Sequence, residues 1–452
     1  MVRLHQQQPG TSKLKIENLK LKIKADSGQL GAGSHVLSTS RYLLPATCYL
    51  LFLLVLTSCS SPQGKKYRDV NFTAQCNPLF ENQLYPSLIL ALNHTATQTS
   101  SQSDTQSVRL YPLTLQVTAP TNDAVLRVDI DSSALNYVTI FQEILPKKGE
   151  TYTFHPSVKW KYDRLRNLHQ PLAIDLTLTC YINDEETAIK NIHLTARSVN
   201  ECPLSFKSTQ VVDTRWLFAA FVNEDHSAIP DILSDILAQG IITRLQGYQT
   251  GKAKDVTEQV FAVWYYALDR GIAYSSISCT SNPSTNTNVQ HIRFFDQVLT
   301  TRQANCIDAC VFFASILRKI GLRPVIVVEP CHAYLGYYTD AKRKNLQLLE
   351  TTITAWVNFP KLQQSLQEDG TLPEEQFQTL TRYLTKKQIQ DYRDGKMTFE
   401  QVKIAVARSL FDKASEYNRE TYDANRALFA DPNTISYQIL DIEKLRQIVQ
   451  PI

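Results

Sequence analysis

The sequence predicts an α+β protein: an N-terminal β-sandwich, then an α+β domain, then a helical C-terminal extension. Three observations predict it. Apolar residues recur with period two between about residues 67 and 203, the period turns helical near Asp213, and Leu372 to Phe429 keeps a strongly helical pattern. Period two makes strands with one buried and one wet face, whereas a 3.6-residue period makes amphipathic helices. At 452 residues, with 43% hydrophobic and 20% charged content, the chain can build two or three domains with their own cores.

Residues 1–41 form a basic leader. Seven of the 47 Lys and Arg and two of the 43 Asp and Glu precede residue 42, so the rest carries 40 positive against 41 negative side chains. Such a balance offers no overall attraction to nucleic acid or to an anionic membrane. With Met at only two positions, Met1 and Met397, the leader reads either as a mis-assigned start or as a long disordered stretch. Residues 42–59 follow Arg41 as an uncharged, largely apolar run interrupted by Pro45. The run is shorter than the roughly 20 residues that cross a bilayer comfortably, and it has the layout of a cleaved export signal. Its end, Leu56-Thr57-Ser58-Cys59, resembles a bacterial lipobox. That resemblance implies lipid modification of Cys59, a membrane anchor there, and a place in the bacterial cell envelope. Ser60 in place of Asp implies the outer membrane, facing the periplasm or the exterior. Residues 60–66 are a polar tether.

Residues 67–203 are assigned to the sandwich. Leu113, Leu115 and Val117 alternate with polar residues, as do Leu126, Val128 and Ile130, and Val158, Trp160 and Tyr162. The longest run is Leu172, Ile174, Leu176, Leu178 and Cys180; a turn at Asn183-Asp184 returns the chain through Ile192, Leu194 and Ala196. No helix is expected there, and 95–107 reads as a mobile loop. Residues 204–356 form the α+β domain. Ile232, Leu233, Ile236 and Leu237 mark one helix; Asp255 and Glu258 form a capping box for another, stopped by Gly271. Residues 275–288 read as a loop, and 357–452 as a helical extension with a second capping box at Thr398 and Gln401.

The chemistry concentrates in Gln303-Ala304-Asn305-Cys306-Ile307-Asp308. Asn305 caps a helix and Asp308, three residues on, returns the hydrogen bond. Cys306 then stands at the first helical position, where unpaired N–H groups and the positive dipole end favour a thiolate. Pro324–Glu329 is an apolar strand, His332 opens the next strand after a turn at Pro330-Cys331, and a third strand from Leu346 to Ile353 carries Glu350. A helix-borne thiol, a His and an acid on successive strands can act as nucleophile, proton carrier and orienter. Zinc shared by Cys306, Cys310, Cys331 and His332 is disfavoured, because neighbouring strand residues point to opposite faces.

These motifs resemble the transglutaminase-like superfamily with its papain-like Cys-His-Asp core. Gln303–Asp308 match the bacterial branch's Gln-Ala-Asn-Cys-x-Asp motif, His332–Tyr337 match His-x-x-x-Gly-Tyr, and Glu350-Thr351-Thr352 stands where Asp-x-Thr is usual. Phe221–His226, Gly247–Gln249, Tyr274–Ile277 and Ile439–Arg446 fit the same branch. The resemblance implies acyl transfer at an amide of a protein or peptide, with Cys306 as nucleophile, His332 as base and acid, Glu350 as orienter, and Gln303 as an oxyanion donor. It implies neither metal nor organic cofactor, and hydrolysis over cross-linking because water is always at hand. A catalytically silent binding or scaffold lipoprotein on the same fold is the alternative. Cys76, Cys180, Cys202 and Cys279 are candidates for disulfides in an oxidising compartment, as is a Cys310–Cys331 pair.

Overall fold

Period-two patterning between Leu113 and Ala196 becomes two sheets, because each strand has one apolar face that only another layer can cover. The computed structural model describes residues 67, 70–92, 110–209, 211–276, 280–281 and 285–452. The leader, the export segment with Cys59, the tether, the 95–107 loop and Cys279 lie outside the described residues. The chain is α+β. Its first strands are β1 (Phe72–Cys76), β2 (Gln83–Leu84), β3 (Leu113–Thr118), β4 (Ala124–Ile130), β5 (Thr139–Leu145), β6 (Thr151–Phe154), β7 (Leu172–Ile182) and β8 (Glu185–Ala196). One sheet runs β1-β3-β6 and the other β2-β8-β7-β4-β5. Leu113, Leu115 and Val117 are buried in the first, and Leu126, Val128, Ile130, Leu176 and Leu178 in the second. The β7–β8 hairpin turns at Asn183 and Asp184, both left-handed at φ 50° and 65°, a turn that matches strand twist.

Two expectations for this region are corrected. Residues 158–162 are not a strand: Trp160 makes only an isolated bridge to Asn136, and Pro156 just ahead lacks the N–H a ladder needs. The region also holds two short helices, α1 (Pro86–Ala91) and α2 (Tyr162–Arg166). Pro86 starts α1 with φ already fixed near helical values.

Residues 201–304 contribute β9 (Glu201–Lys207), β10 (Val211–Asp213), β11 (Ala273–Tyr274), β12 (Thr280–Ser281), β13 (Thr287–His291) and β14 (Gln303–Ala304). The order β10-β9-β13-β12 forms one sheet, and β11 pairs in parallel with β14. The segment 275–288 is therefore not simply a loop. β9 offers a long ladder to β13, where Thr287 and Val289 are buried, and that tertiary partner overrides a composition poor in strand formers. Gly64–Ile452 forms one compact unit.

The helices of this part are α3 (Phe218–Phe221), α4 (Ile229–Ala238), α5 (Ala253–Asp269), α6 (Phe295–Thr301) and α7 (Cys306–Lys319). α5 begins two residues before the expected cap. Lys252 is its N-cap, without a side-chain bond, and Asp255 lies in the first turn, where its charge suits the dipole. Against α7 lies an antiparallel sheet in the order β17-β16-β15-β18, built from β15 (Pro324–Glu329), β16 (His332–Tyr338), β17 (Leu346–Leu349) and β18 (Gln438–Asp441). Ile326, Val328, Leu335 and Tyr337 belong to the main core, while Val325, Val327, Tyr334 and Leu348 form a second cluster with Tyr422 and Phe429. At Gly336 an added Cβ would stand 2.7 Å from Val325 Cγ2, so β16 has no room for a side chain there.

The C-terminal part carries α8 (Phe359–Asp369), α9 (Glu374–Thr381), α10 (Lys386–Arg393), α11 (Phe399–Glu416), α12 (Arg419–Ala424), α13 (Arg426–Ala430) and α14 (Ile442–Leu445). Thr398 and Gln401 form the expected capping box on α11. The last residues stitch distant parts together: Gln450 N–H donates to Ala91 O at 3.1 Å and Ile452 N–H to Ala220 O at 2.9 Å. No helix among the described residues is long and apolar enough to cross a membrane.

Candidate active site

The site starts from a helix cap. The Asn305 side chain accepts from Asp308 N–H at 2.9 Å and Asp308 Oδ2 accepts from Asn305 N–H at 3.0 Å. Asp308 is fully buried; it also accepts from the Arg293 backbone at 2.8 Å and pairs with the Arg293 guanidinium at 2.8 Å. Burial raises the Asp308 pKa, against the pull of these donors. The cap fixes the first turn of α7 and with it the half-buried Cys306. The N–H groups of Cys306 and Ile307, at the opening of this helix, have no acceptor within it.

The other two side chains arrive from the sheet. The turn Glu329-Pro330-Cys331-His332 closes the β15–β16 hairpin, with Cys331 left-handed at φ 63°. It sets His332 as the first residue of β16. Its imidazole Nε2 lies 2.7 Å from Glu350 Oε2, and Cys306 lies close enough to the ring to favour its charged form. With Nε2 engaged by the carboxylate, Nδ1 is the ring nitrogen that faces the thiol. Burial alone would lower the His332 pKa; the interactions with Cys306 and Glu350 outweigh it and push the pKa up to about 10. At neutral pH the ring is therefore an imidazolium between two acidic partners.

Glu350 stands just past the end of β17, a correction to the strand read through to Ile353. Its Oε1 accepts from Thr352 N–H at 2.9 Å and from Thr352 Oγ1–H at 2.7 Å. That local bond draws the chain out of the ladder and into a 3₁₀ segment, Thr351–Trp356. Oε2 accepts from His332 and from Asn418 Nδ2 at 2.6 Å. The side chain is 0% exposed, yet both carboxylate oxygens accept hydrogen bonds. Burial raises its pKa, but the bonds from His332, Thr352 and Asn418 outweigh that and hold it below the usual value. The extra methylene of Glu over Asp does not prevent the contact with His332.

Three of the four residues singled out from the sequence thus converge: Cys306, His332 and Glu350. Gln303 is exposed, on β14 three residues before the thiol, and its side-chain amide has no partner among the described residues. Thr352 is the Thr of the Asp-x-Thr-like motif, whereas Asn418 carries no signal in the sequence. Asn418 occupies a helix-capping position without capping by its side chain, because its amide serves Glu350 instead. The disulfide expectation is corrected where it can be seen. Cys76, Cys180, Cys202, Cys306, Cys310 and Cys331 are free. Cys310 is buried one turn beyond Cys306, 4.0 Å from Thr351 Oγ1, whereas Cys331 is exposed. Burial pushes the Cys310 thiol well up, so it is held as the neutral thiol. His226 accepts from Ala228 N–H at 3.2 Å and packs on Phe295, a structural role. Among the described residues no three His, Cys, Asp or Glu side chains converge as metal ligands. Compared with known protein families and with curated proteins, the chain matches none.

Proposed function

We propose that the chain is an exported, lipid-anchored cysteine hydrolase of the transglutaminase-like type, acting on an amide of a protein or peptide. The observation that carries this reading is the convergence of Cys306 and Glu350 on the His332 ring, whose Nε2 lies 2.7 Å from a buried, fully satisfied carboxylate. Structural cysteines rarely need an imidazole, and a buried carboxylate is costly unless its charge is put to use. On this reading residues 67–203 form a β-sandwich, residues 204–356 the transglutaminase-like domain, and 357–452 an extension that returns Asn418 and β18 to it. Cys59 would carry the lipid.

The chemistry follows from the geometry. The proton lost by the Cys306 thiol is the one held on the His332 imidazolium, and the Cys306 sulfur forms a bond to the substrate carbonyl carbon. The helix N–H groups, with Gln303 as a further donor, stabilise the oxyanion. As the C–N bond breaks, His332 gives its proton to the departing amine, leaving a thioester. Water then attacks the thioester carbon, His332 accepts a proton from it and returns one to the sulfur, and the carboxylic acid leaves. Glu350 holds the ring and stabilises the imidazolium throughout.

The test uses a control within the chain. Cys331 is exposed and lies next to His332 in sequence, so it reports the reactivity of an ordinary accessible thiol. Iodoacetamide at neutral pH should modify Cys306 much faster than Cys331, and His332→Ala should erase the difference. Equal rates in the unaltered protein would leave the scaffold alternative as the better account.

A further inference from the structure

A cavity of about 500 Å³ is lined by Trp356, Arg382, Tyr383 and Lys413. Two of its lining residues lie close in the chain to residues bonded to Glu350. Trp356 ends the 3₁₀ segment that Glu350 caps. Lys413 directly precedes Ala414, whose carbonyl accepts the Glu350 N–H at 2.9 Å. Tyr417, whose ring meets Trp356 edge-on at 6.4 Å, directly precedes Asn418, which binds Glu350.

Arg382 lies over the Tyr383 ring at 5.7 Å and its Nε donates to Thr379 O at 3.0 Å, which leaves the two Nη groups without a partner among the described residues. Lys413 likewise makes no ion pair among the described residues, whereas Arg393 pairs with Glu374, Lys396 with Asp394, Lys403 with Asp269 and Arg408 with Glu258. Trp356 is 49% exposed, a large apolar face turned outward. Two uncommitted cations beside an exposed indole suit a ligand with an anionic group and an apolar or flat body. The Arg fork matches a carboxylate, and the indole face covers the body.

We propose that this cavity is a substrate subsite that takes a carboxylate of the peptide whose amide is cleaved at Cys306. The assignment rests on the hydrolase reading, and its source of carboxylate is either the peptide's own C-terminus or an acidic side chain.

The experiment is calorimetric titration of the full chain with three acetylated peptides of one sequence. The first ends in a C-terminal carboxamide and has only neutral side chains. The second has the free C-terminal carboxylate, and the third has the carboxamide with one Gln replaced by Glu. One or both carboxylate peptides should bind about tenfold more tightly than the neutral one, the gain expected of a charge-assisted hydrogen bond. Which of the two gains identifies the source. The advantage should vanish in the Arg382→Gln, Lys413→Gln double variant and weaken with added salt; both residues are exposed, so the thermal midpoint should stay put. Equal binding of all three peptides, no binding by any, or a preference that survives the double variant would overturn the subsite. Cys306 alkylation is read in parallel. A carboxylate preference with an unreactive Cys306 would refute the hydrolase and keep an anion site, while a reactive Cys306 without the preference would do the reverse.

Discussion

Glu350→Gln isolates the charge of the acid from its shape. The substitution keeps the side-chain volume and a partner for His332, but removes a full negative charge 2.7 Å from Nε2. A hydrogen bond to a charged group contributes about 1.5–3 kcal/mol, and each 1.36 kcal/mol corresponds to one pH unit. The His332 side chain is 33% exposed, so solvent screens part of the effect and the lower end applies, roughly one pH unit. The sign is fixed: the carboxylate stabilises the protonated ring, so its loss lets the proton leave at lower pH. The assay compares the rates at which iodoacetate and iodoacetamide modify Cys306, followed by mass spectrometry of its peptide. An adjacent imidazolium attracts the anionic reagent, so the ratio stays high while His332 is charged and falls as it deprotonates. In the unaltered protein the fall should centre near pH 10. In Glu350→Gln it should centre roughly one pH unit lower. An unmoved midpoint, or a ratio independent of pH in both proteins, would refute the claim that Glu350 tunes this ring.

Asn418→Ala should lower stability by about 1–3 kcal/mol, measured by denaturant titration, because a buried carboxylate oxygen loses a donor; Asn418→Asp should be worse, since two carboxylates would share one buried site. Gln303→Ala should leave the unfolding midpoint nearly unchanged, as befits an exposed residue, and should leave Cys306 alkylation unchanged. If Gln303 binds the oxyanion, hydrolysis of an activated ester should slow about 10²-fold in that variant. Cys310→Ala should leave the alkylation of Cys306 unchanged, because the buried Cys310 thiol engages Thr351 rather than His332. Glu224 gives an acid-side test. Burial would raise its pKa, but the Arg446 and Arg318 guanidinium groups outweigh that and hold it at about 2, against 4.5 for a free side chain. A depressed folded value means its stabilisation is complete above about pH 4.5 and fades as pH falls toward 2. Glu224→Gln should therefore cost about 3 kcal/mol at neutral pH, with the gap between the two proteins closing in acid unfolding curves below pH 4.

The site was legible where its geometry is local. Asn305 and Asp308 name their helix by a spacing of three, and the cap alone puts Cys306 at the first turn. The hairpin that presents His332 was legible from an apolar run broken by Pro330-Cys331. Glu350 was legible as a residue but not as a conformation, because its bond to Thr352 competes with the strand that alternation suggests. What stayed hidden depends on distant partners. β13 is a strand only because β9 lies beside it, and Asn418 matters only because α11 and α12 bring it to Glu350, 68 residues away in sequence. The 158–162 segment shows the reverse failure, an alternating pattern with no strand to pair with.

The addition of β18 to β15 has a consequence for the order in which the chain is made. Val325–Val328 wait for Gln438–Asp441 to complete their ladder, and Glu350 waits for Asn418. A ribosome delivers the thiol and its histidine long before either partner, at roughly 5–20 residues per second. During that interval the acid lacks one of its donors and the sheet has an open edge, which is a hazard for mispairing. The full support of Glu350 is thus a property of the nearly finished chain, complete only once Asn418 is in place.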